Sequence, residues 1–356
     1  MNGRYRPDIS RGPRCPLPLD GPAEVTLAHG GGGRMTQTLI EQLFFTAFRN
    51  PALEPLHDGA VLEVGGSRLA FSTDSFVVSP IFFPGGDVGS LAVHGTVNDL
   101  SMCGASPVGL AAGFILEEGL PMEDLRRVTL SMRDAAERVG VPIVTGDTKV
   151  VDRGKGDGVF INTTGIGLVP PGIDLSPVKA RPGDVVMCSG SVGVHGIAIM
   201  SVREGIEFET SLESDSAPLH DLVARLLLES PEEVHVLRDP TRGGVASALN
   251  EIAAQAKVGI RLDERSIPVR DEVRGACEIL GLDPLYVANE GVCLVIAARV
   301  AAKRLLHTMR GHPLGRDSAI IGEVVRDEPS KVLIRTRAGG TRLVQMMSGE
   351  QLPRIC

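Results

Sequence analysis

The chain has 356 residues, 43% of them hydrophobic, a formal net charge of −8 and only 3% aromatic residues. That length suits about two domains with sizeable cores, and an acidic chain with so few stacking rings argues against a nucleic-acid partner. No apolar run approaches the roughly 20 residues that cross a bilayer, no secretory leader opens the chain, and six widely spaced cysteines without a CxxC pair read as thiols of a reducing cytoplasm.

Residues 1–22 are rich in Arg, Pro and Gly and lack periodicity, so they read as a disordered extension that includes Cys15. A first domain is expected over 23–170. It opens on Gly30-Gly31-Gly32-Gly33, followed by a helix whose apolar residues run from Met35 to Phe48 at helical spacing. Four glycines ahead of a helix can wrap backbone N–H groups around an anion, or serve as a plain linker. Residues 61–78 read as a hairpin turning at Gly65-Gly66, whose second strand ends Ser72-Thr73-Asp74-Ser75. Asp74 either holds a hydrated cation or shapes a turn. An apolar helix follows from about Gly89 to Leu100. It carries Asn98 and Asp99, which burial makes costly unless they are paired or used.

Residues 108–116 read as a strand, 122–139 as an amphipathic helix and 142–145 as a buried strand, with Thr145 at its end. The strand is expected to stop in a loop, Gly146-Asp147-Thr148-Lys149. An acid and a cation at a strand end suit Mg²⁺ and phosphate oxygens, or form a surface ion pair of little consequence. A strand over 159–169 closes the domain. Proline- and glycine-rich residues 170–184 mark the boundary, and a second domain is expected over 182–340.

The second half restarts with a strand at 185–188 and continues with helices at 217–228 and 246–256 and a strand at 234–237. Asp239 and Thr241 open the helix at 246 as caps or as ligand contacts. Glu290, beside Gly291 in an apolar run, is an expensive carboxylate whose pKa burial would raise toward a proton-transfer role. His312 puts an imidazole in a turn. The tail, 341–356, ends Pro353-Arg354-Ile355-Cys356. Chain ends move unless docked, and Arg354 would favour the Cys356 thiolate.

Taken together, LAHGGGGR at 27–34, FFPGGD at 82–87, GTVNDL at 95–100, TGDTKVV at 145–151, INTTGIG at 161–167, RDPTRGG at 238–244, ANEG at 288–291 and PRIC at 353–356 resemble the hydrogenase maturation factor HypE family. That family lies in the aminoimidazole ribonucleotide synthetase (PurM-like) superfamily. The resemblance covers residue 24 to the end; the family usually lacks the N-terminal extension.

The resemblance implies an α+β chain of two PurM-like domains with a flexible C-terminal tail. It implies a cytoplasmic homodimer that uses ATP and Mg²⁺ to dehydrate an S-carbamoyl group on Cys356 to a thiocyanate. A carbamoyltransferase, HypF, would load the tail, and the HypC–HypD complex would take the cyano group to the iron of a [NiFe]-hydrogenase. By the same resemblance Asp74, Asp99 and Asp147 fit a metal site and Lys149 a phosphate contact. Gly30 to Gly33, Asn98, Thr145 and Gly146 count as nucleotide-binding, and Glu290 and His312 handle protons. Two alternatives stay open: another superfamily enzyme such as selenophosphate synthetase or thiamine-phosphate kinase, and a non-catalytic carrier. No cysteine lies between residues 16 and 102 to serve the first of these, and a carrier needs no Mg-ATP site.

Overall fold

The computed structural model describes residues 24–205, 212–348 and 354–356. The expected extension, with Cys15, lies outside the described residues. Helix α1 (Arg34–Leu39) runs through a π-helical turn (Ile40–Phe45) into α2 (Thr46–Phe48). The expected helical spacing is realised, yet none of these residues is buried by the described chain.

The first sheet holds β1 (Ala60–Val64), β2 (Ser67–Phe76), β5 (Ser106–Glu117), β6 (Ile143–Val151) and β7 (Val159–Val169), in the order β1-β2-β7-β5-β6. All neighbours are antiparallel except β5 and β6. A small hairpin, β3 (Phe82–Phe83) and β4 (Gly86–Asp87), leads into α3 (Val88–Met102). Asp87 caps that helix, its carboxylate accepting the N–H groups of Gly89 at 2.8 Å and Ser90 at 3.0 Å. With α4 (Met122–Val139), α3 covers one face of the sheet, so Ala70, Ser72 and Phe76 of β2 point inward. The other face is open and exposes Phe71, Ile115, Ile166 and Leu168.

One expectation fails here. Gly146 to Lys149 are not a loop but the middle of β6, at the edge of the sheet. Gly and Asp look like breakers, but pairing with β5 overrides that preference. A Cβ on Gly146 would lie 2.2 Å from the Ala112 carbonyl oxygen, so the glycine permits the close approach of the two strands.

The second sheet contains β8 (Val185–Cys188), β9 (Val234–Arg238), β10 (Gly259–Asp263), β11 (Leu294–Ala297), β12 (Ala319–Val325), β13 (Lys331–Arg335) and β14 (Thr341–Val344). Their order is β14-β13-β10-β12-β8-β11-β9. Five helices accompany it: α5 (Val194–Glu204), α6 (His220–Glu229), α7 (Gly244–Ala256), α8 (Asp271–Leu280) and α9 (Ala302–Arg310). Strand β10, with only Ile260 and Leu262 as inward residues, was not anticipated from the sequence.

The two halves share a core. Ala70, Leu100 and Met102 of the first half pack with Met187, Leu222, Leu226 and Leu237 of the second, all fully buried. Burying each of these leucine and methionine side chains stabilises by roughly 1.5–3 kcal/mol, so the cleft between the halves has firm walls. Replacing Asp87 by Ala is expected to cost about 1 kcal/mol of stability through the lost cap; a shifted denaturant midpoint at unchanged slope checks it.

Candidate active site around Cys356

The last described residues are docked rather than free. The Val77 N–H donates to the Cys356 carbonyl oxygen at 3.1 Å and the Ser79 N–H to that of Arg354 at 3.2 Å. Ile355 and Cys356 join the buried cluster that holds Phe76, Val78, Leu91, Val93, Ile199 and Ala288. Cys356 therefore lies between the two halves, 7% exposed.

Its surroundings reverse the expected electrostatics. Arg354 does not serve the thiol; it pairs with Asp157 in the turn between β6 and β7. The cation facing Cys356 is Arg242, from the loop that opens α7. Burial pushes the Cys356 thiol well up, Arg242 pulls it down, and Glu290 and Asp74 push it up again. Glu290 lies close enough to raise the thiol's pKa, is itself 3% exposed, and its Oε1 is buried without a hydrogen-bond partner. Burial, then Asp239, Asp74 and Asp215, hold its carboxyl well above the ordinary range; Arg242 opposes them. Arg242 also pairs with Asp74 at 3.6 Å.

Behind Asp74 lies an acidic cluster. Asp58, Asp99 and Asp239 each bring one carboxylate oxygen to within 4.8 Å of the others. Asp99 accepts a 2.6 Å hydrogen bond from Ser72. Burial and then Asp239, Asp74 and Asp58 raise its pKa well above the ordinary value; burial and Asp58 raise that of Asp239. Asp58 Oδ1 takes the Arg238 guanidinium at 2.9 Å, while its Oδ2 is buried without a hydrogen-bond partner. Convergent hard oxygens, one of them orphaned, fit a divalent cation such as Mg²⁺.

The glycine run lies over this site. Gly32 has φ +71°, and a Cβ on it would meet the Arg242 backbone at 2.6 Å; one on Gly33 would meet the Met347 carbonyl at 2.5 Å. Nothing crowds Gly30. Next to this run is a cavity of about 440 Å³ lined by Gly32, Gly33, Thr36, His57, Arg238 and Gln255 among others.

Several expected residues stand elsewhere. Asn98 is a strut. Its amide donates to the carbonyls of Ala217 at 3.1 Å and Glu290 at 3.2 Å, which uses both N–H donors, and its oxygen accepts the Leu219 N–H at 2.7 Å. His312 caps a short helical turn: Nδ1 accepts the Leu314 N–H at 3.1 Å and Nε2 meets Asp221 at 3.2 Å, so both nitrogens are committed away from the tail. Asp147 aligns across the sheet with Gly113, Asn162 and Ser75, hence on the open face, whereas Asp74 points to the helix face. Within one chain, then, Asp147 does not join Asp74 and Asp99. With Lys149 it forms an exposed 2.7 Å pair, and Thr145 shares that face.

Asp58 and Arg242 were missed. Arg242 was visible in the RDPTRGG motif but read only as part of a helix start; Asp58, in His57-Asp58-Gly59, carried no local signal.

Residues 56–169 match the family described as AIR synthase related protein, N-terminal domain, and residues 181–335 its C-terminal domain. The chain is 58% identical over 332 residues to the carbamoyl dehydratase HypE of Azotobacter vinelandii, covering 93% of this chain and 97% of that one. The chain belongs to the HypE family of carbamoyl dehydratases. Another HypE, from Escherichia coli K12, is 47% identical over 337 residues, 93% of this chain and 99% of that one. A crystal structure of HypE in complex with ATP aligns with a TM-score of 0.79 at 51% identity, covering 94% of this chain and 100% of the other. A HypE–HypF complex structure aligns at 0.82 and 48% identity, covering 87% and 99%. The family resemblance and the two-domain fold expected from the motifs are thus borne out.

Asp99 and Asp239 hold protons more tightly folded than unfolded. The metal-free protein is therefore expected to lose stability as pH rises from their ordinary value of 3.8 through the raised folded-state values. Asp239→Asn should flatten that loss and abolish stabilisation by Mg²⁺ at neutral pH; melting curves with and without the ion check both.

Proposed function

We propose that this enzyme dehydrates a carbamoyl group carried on its own Cys356 to a thiocyanate, converting ATP to ADP and phosphate. The observation that carries the reading is the docked thiol, buried against Glu290 and facing Arg242 beside the acidic cluster. An amide oxygen is a poor leaving group. Transfer of the ATP γ-phosphoryl to that oxygen forms an O–P bond, releases ADP and leaves a C=N bond after loss of one nitrogen proton. Loss of the second proton, with C–O cleavage and departure of phosphate, leaves C≡N on the sulfur.

Glu290 is the acceptor of a nitrogen proton. Burial raises its affinity for protons above that of an ordinary carboxylate, which strengthens it as a general base. Arg242 faces the charge that develops on the carbamoyl oxygen. Asp58, Asp99 and Asp239, with Asp74 beside them, would hold Mg²⁺, which when bound neutralises phosphate charge. The glycine run, packed on Arg242 and Met347, is the phosphate cover. A relative crystallised in complex with ATP supports a nucleotide site.

The open face of the first sheet, with Phe71, Ile115, Ile166 and Leu168 exposed, suits a second copy, and we propose a homodimer through it. Asp147 and Lys149 lie on that face, so they reach the phosphates of the partner protomer rather than their own. The HypE–HypF complex supports HypF as the source of the carbamoyl group; the cyano group then passes to iron on HypC–HypD for a [NiFe]-hydrogenase. The five described cysteines are free thiols, in keeping with a cytoplasmic reaction. Among the described residues no helix is long and apolar enough to cross a membrane.

Glu290→Gln is expected to lower the dehydration rate by about 10²–10⁴-fold while carbamoylation and nucleotide binding persist; single-turnover mass spectrometry of the tail reads it, and an unchanged rate refutes the base assignment. Lys149→Ala and Cys356→Ala should each be inactive alone but regain activity when mixed, because one hybrid site then carries a sound lysine and a sound tail. No recovery on mixing would put Lys149 outside its partner's site.

A further inference from the structure

The Cys356 thiol is buried when the tail is docked, so it meets a partner or a reagent only when the tail is out. Whatever holds the tail in divides the chain's time between these states. Among the described residues, the polar contacts to the backbone of 354–356 and to the Arg354 side chain include the backbone at Val77 and Ser79, the Asp157 carboxylate on Arg354, the Arg203 guanidinium on the Arg354 carbonyl, and His195. Of these, His195 alone is bonded to the Ile355 carbonyl, on the peptide group that joins directly to Cys356.

The geometry of His195 is set from both sides. It sits in the first turn of α5, fully buried, with its ring edge-on to Phe83 at 5.6 Å. The helix start is pinned, since the Gly193 N–H donates to Asn289 Oδ1 at 2.6 Å. Nε2 lies 2.9 Å from the Ile355 carbonyl oxygen and Nδ1 lies 2.7 Å from Ser214 Oγ. A carbonyl can only accept, so Nε2 carries the proton and Nδ1 accepts from the Ser214 hydroxyl. Ser214 is held in turn: its Oγ accepts the Ser216 N–H at 3.0 Å and its own N–H donates to the Pro84 carbonyl at 2.8 Å. Burial keeps the ring neutral, with a pKa of about 4, so this tautomer persists across physiological pH. A histidine that merely filled space would spend its nitrogens on the core; this one spends the second on the tail.

We propose that His195, oriented by Ser214, is a positioning residue that clasps the Ile355 carbonyl, aims Cys356 at Glu290 and sets the fraction of time the tail stays docked. The aim toward Glu290 rests on the function proposed above; the clasp itself does not, and the test separates them.

Full-length protein is treated with iodoacetamide, and modification of Cys356 is followed on the C-terminal peptide by mass spectrometry. His195→Leu is expected to speed alkylation about five- to tenfold, the weight of one buried hydrogen bond, with ATP-induced stabilisation retained. His195→Gln, which keeps an N–H near the Nε2 position, should return the rate toward that of the parent. Ser214→Ala leaves the ring in place but frees its tautomer, and should give a smaller rise, about two- to threefold. An unchanged rate in His195→Leu, or the same acceleration in Leu and Gln variants, overturns the clasp. If His195→Leu does not fold, Ser214→Ala decides: no acceleration there overturns it. The assay needs neither ATP nor transferase. If alkylation behaves as expected while the carbamoylated chain never loses water, the clasp stands and the dehydratase reading falls.

Discussion

Everything in this molecule turns on burying one thiol between two halves of the chain. Cys356 lies on Glu290 from the second half, beside Asp74 from the first, and under Arg242 from the loop that opens α7. Neither half alone could make that environment. The shared core that joins Ala70 and Leu100 to Met187 and Leu222 fixes the two walls, and Asn98 ties helix α3 directly to the Glu290 backbone. The tail then takes two backbone hydrogen bonds, from the N–H groups of residues 77 and 79, and closes the site with its thiol inside.

That enclosure explains the electrostatics. Five carboxylates, Asp58, Asp74, Asp99, Asp239 and Glu290, crowd a space with two guanidiniums, Arg238 and Arg242. Such a cluster is unstable unless protons or a cation offset the repulsion. A site short of positive charge suits the divalent cation and phosphates proposed for it. The low dielectric that makes the cluster costly also strengthens each interaction with charge that develops during reaction.

Much of the fold was legible, and unevenly so. Helix α4 follows from its amphipathic period and ends where expected, at Val139, and the apolar run of α3 read correctly as buried. Strand β6 did not, because Gly146 and Asp147 look like breakers in isolation and only the partner strand reveals a close approach. In the site, Glu290 and Cys356 stood out because a carboxylate in an apolar run and a cysteine in a tail are locally odd. Asp58 and Arg242 did not stand out, because their partners are distant in sequence. Asn98 and His312 also stood out as polar groups in conspicuous places, and in the structure each is hydrogen-bonded to neighbouring groups. Whether the tail docks could not be read at all, since it depends on His195, Arg203 and Asp157 arriving from three separate elements.

In the proposed reaction the carbamoyl oxygen on Cys356 leaves as phosphate. The most direct test loads Cys356 with a carbamoyl group bearing heavy oxygen, adds Mg-ATP, and follows the label by mass spectrometry. The tail should lose the mass of labelled water while the label appears in inorganic phosphate, one per chain. Label found in water, or a carbamoyl group that persists on Cys356 while ATP is consumed, would contradict it.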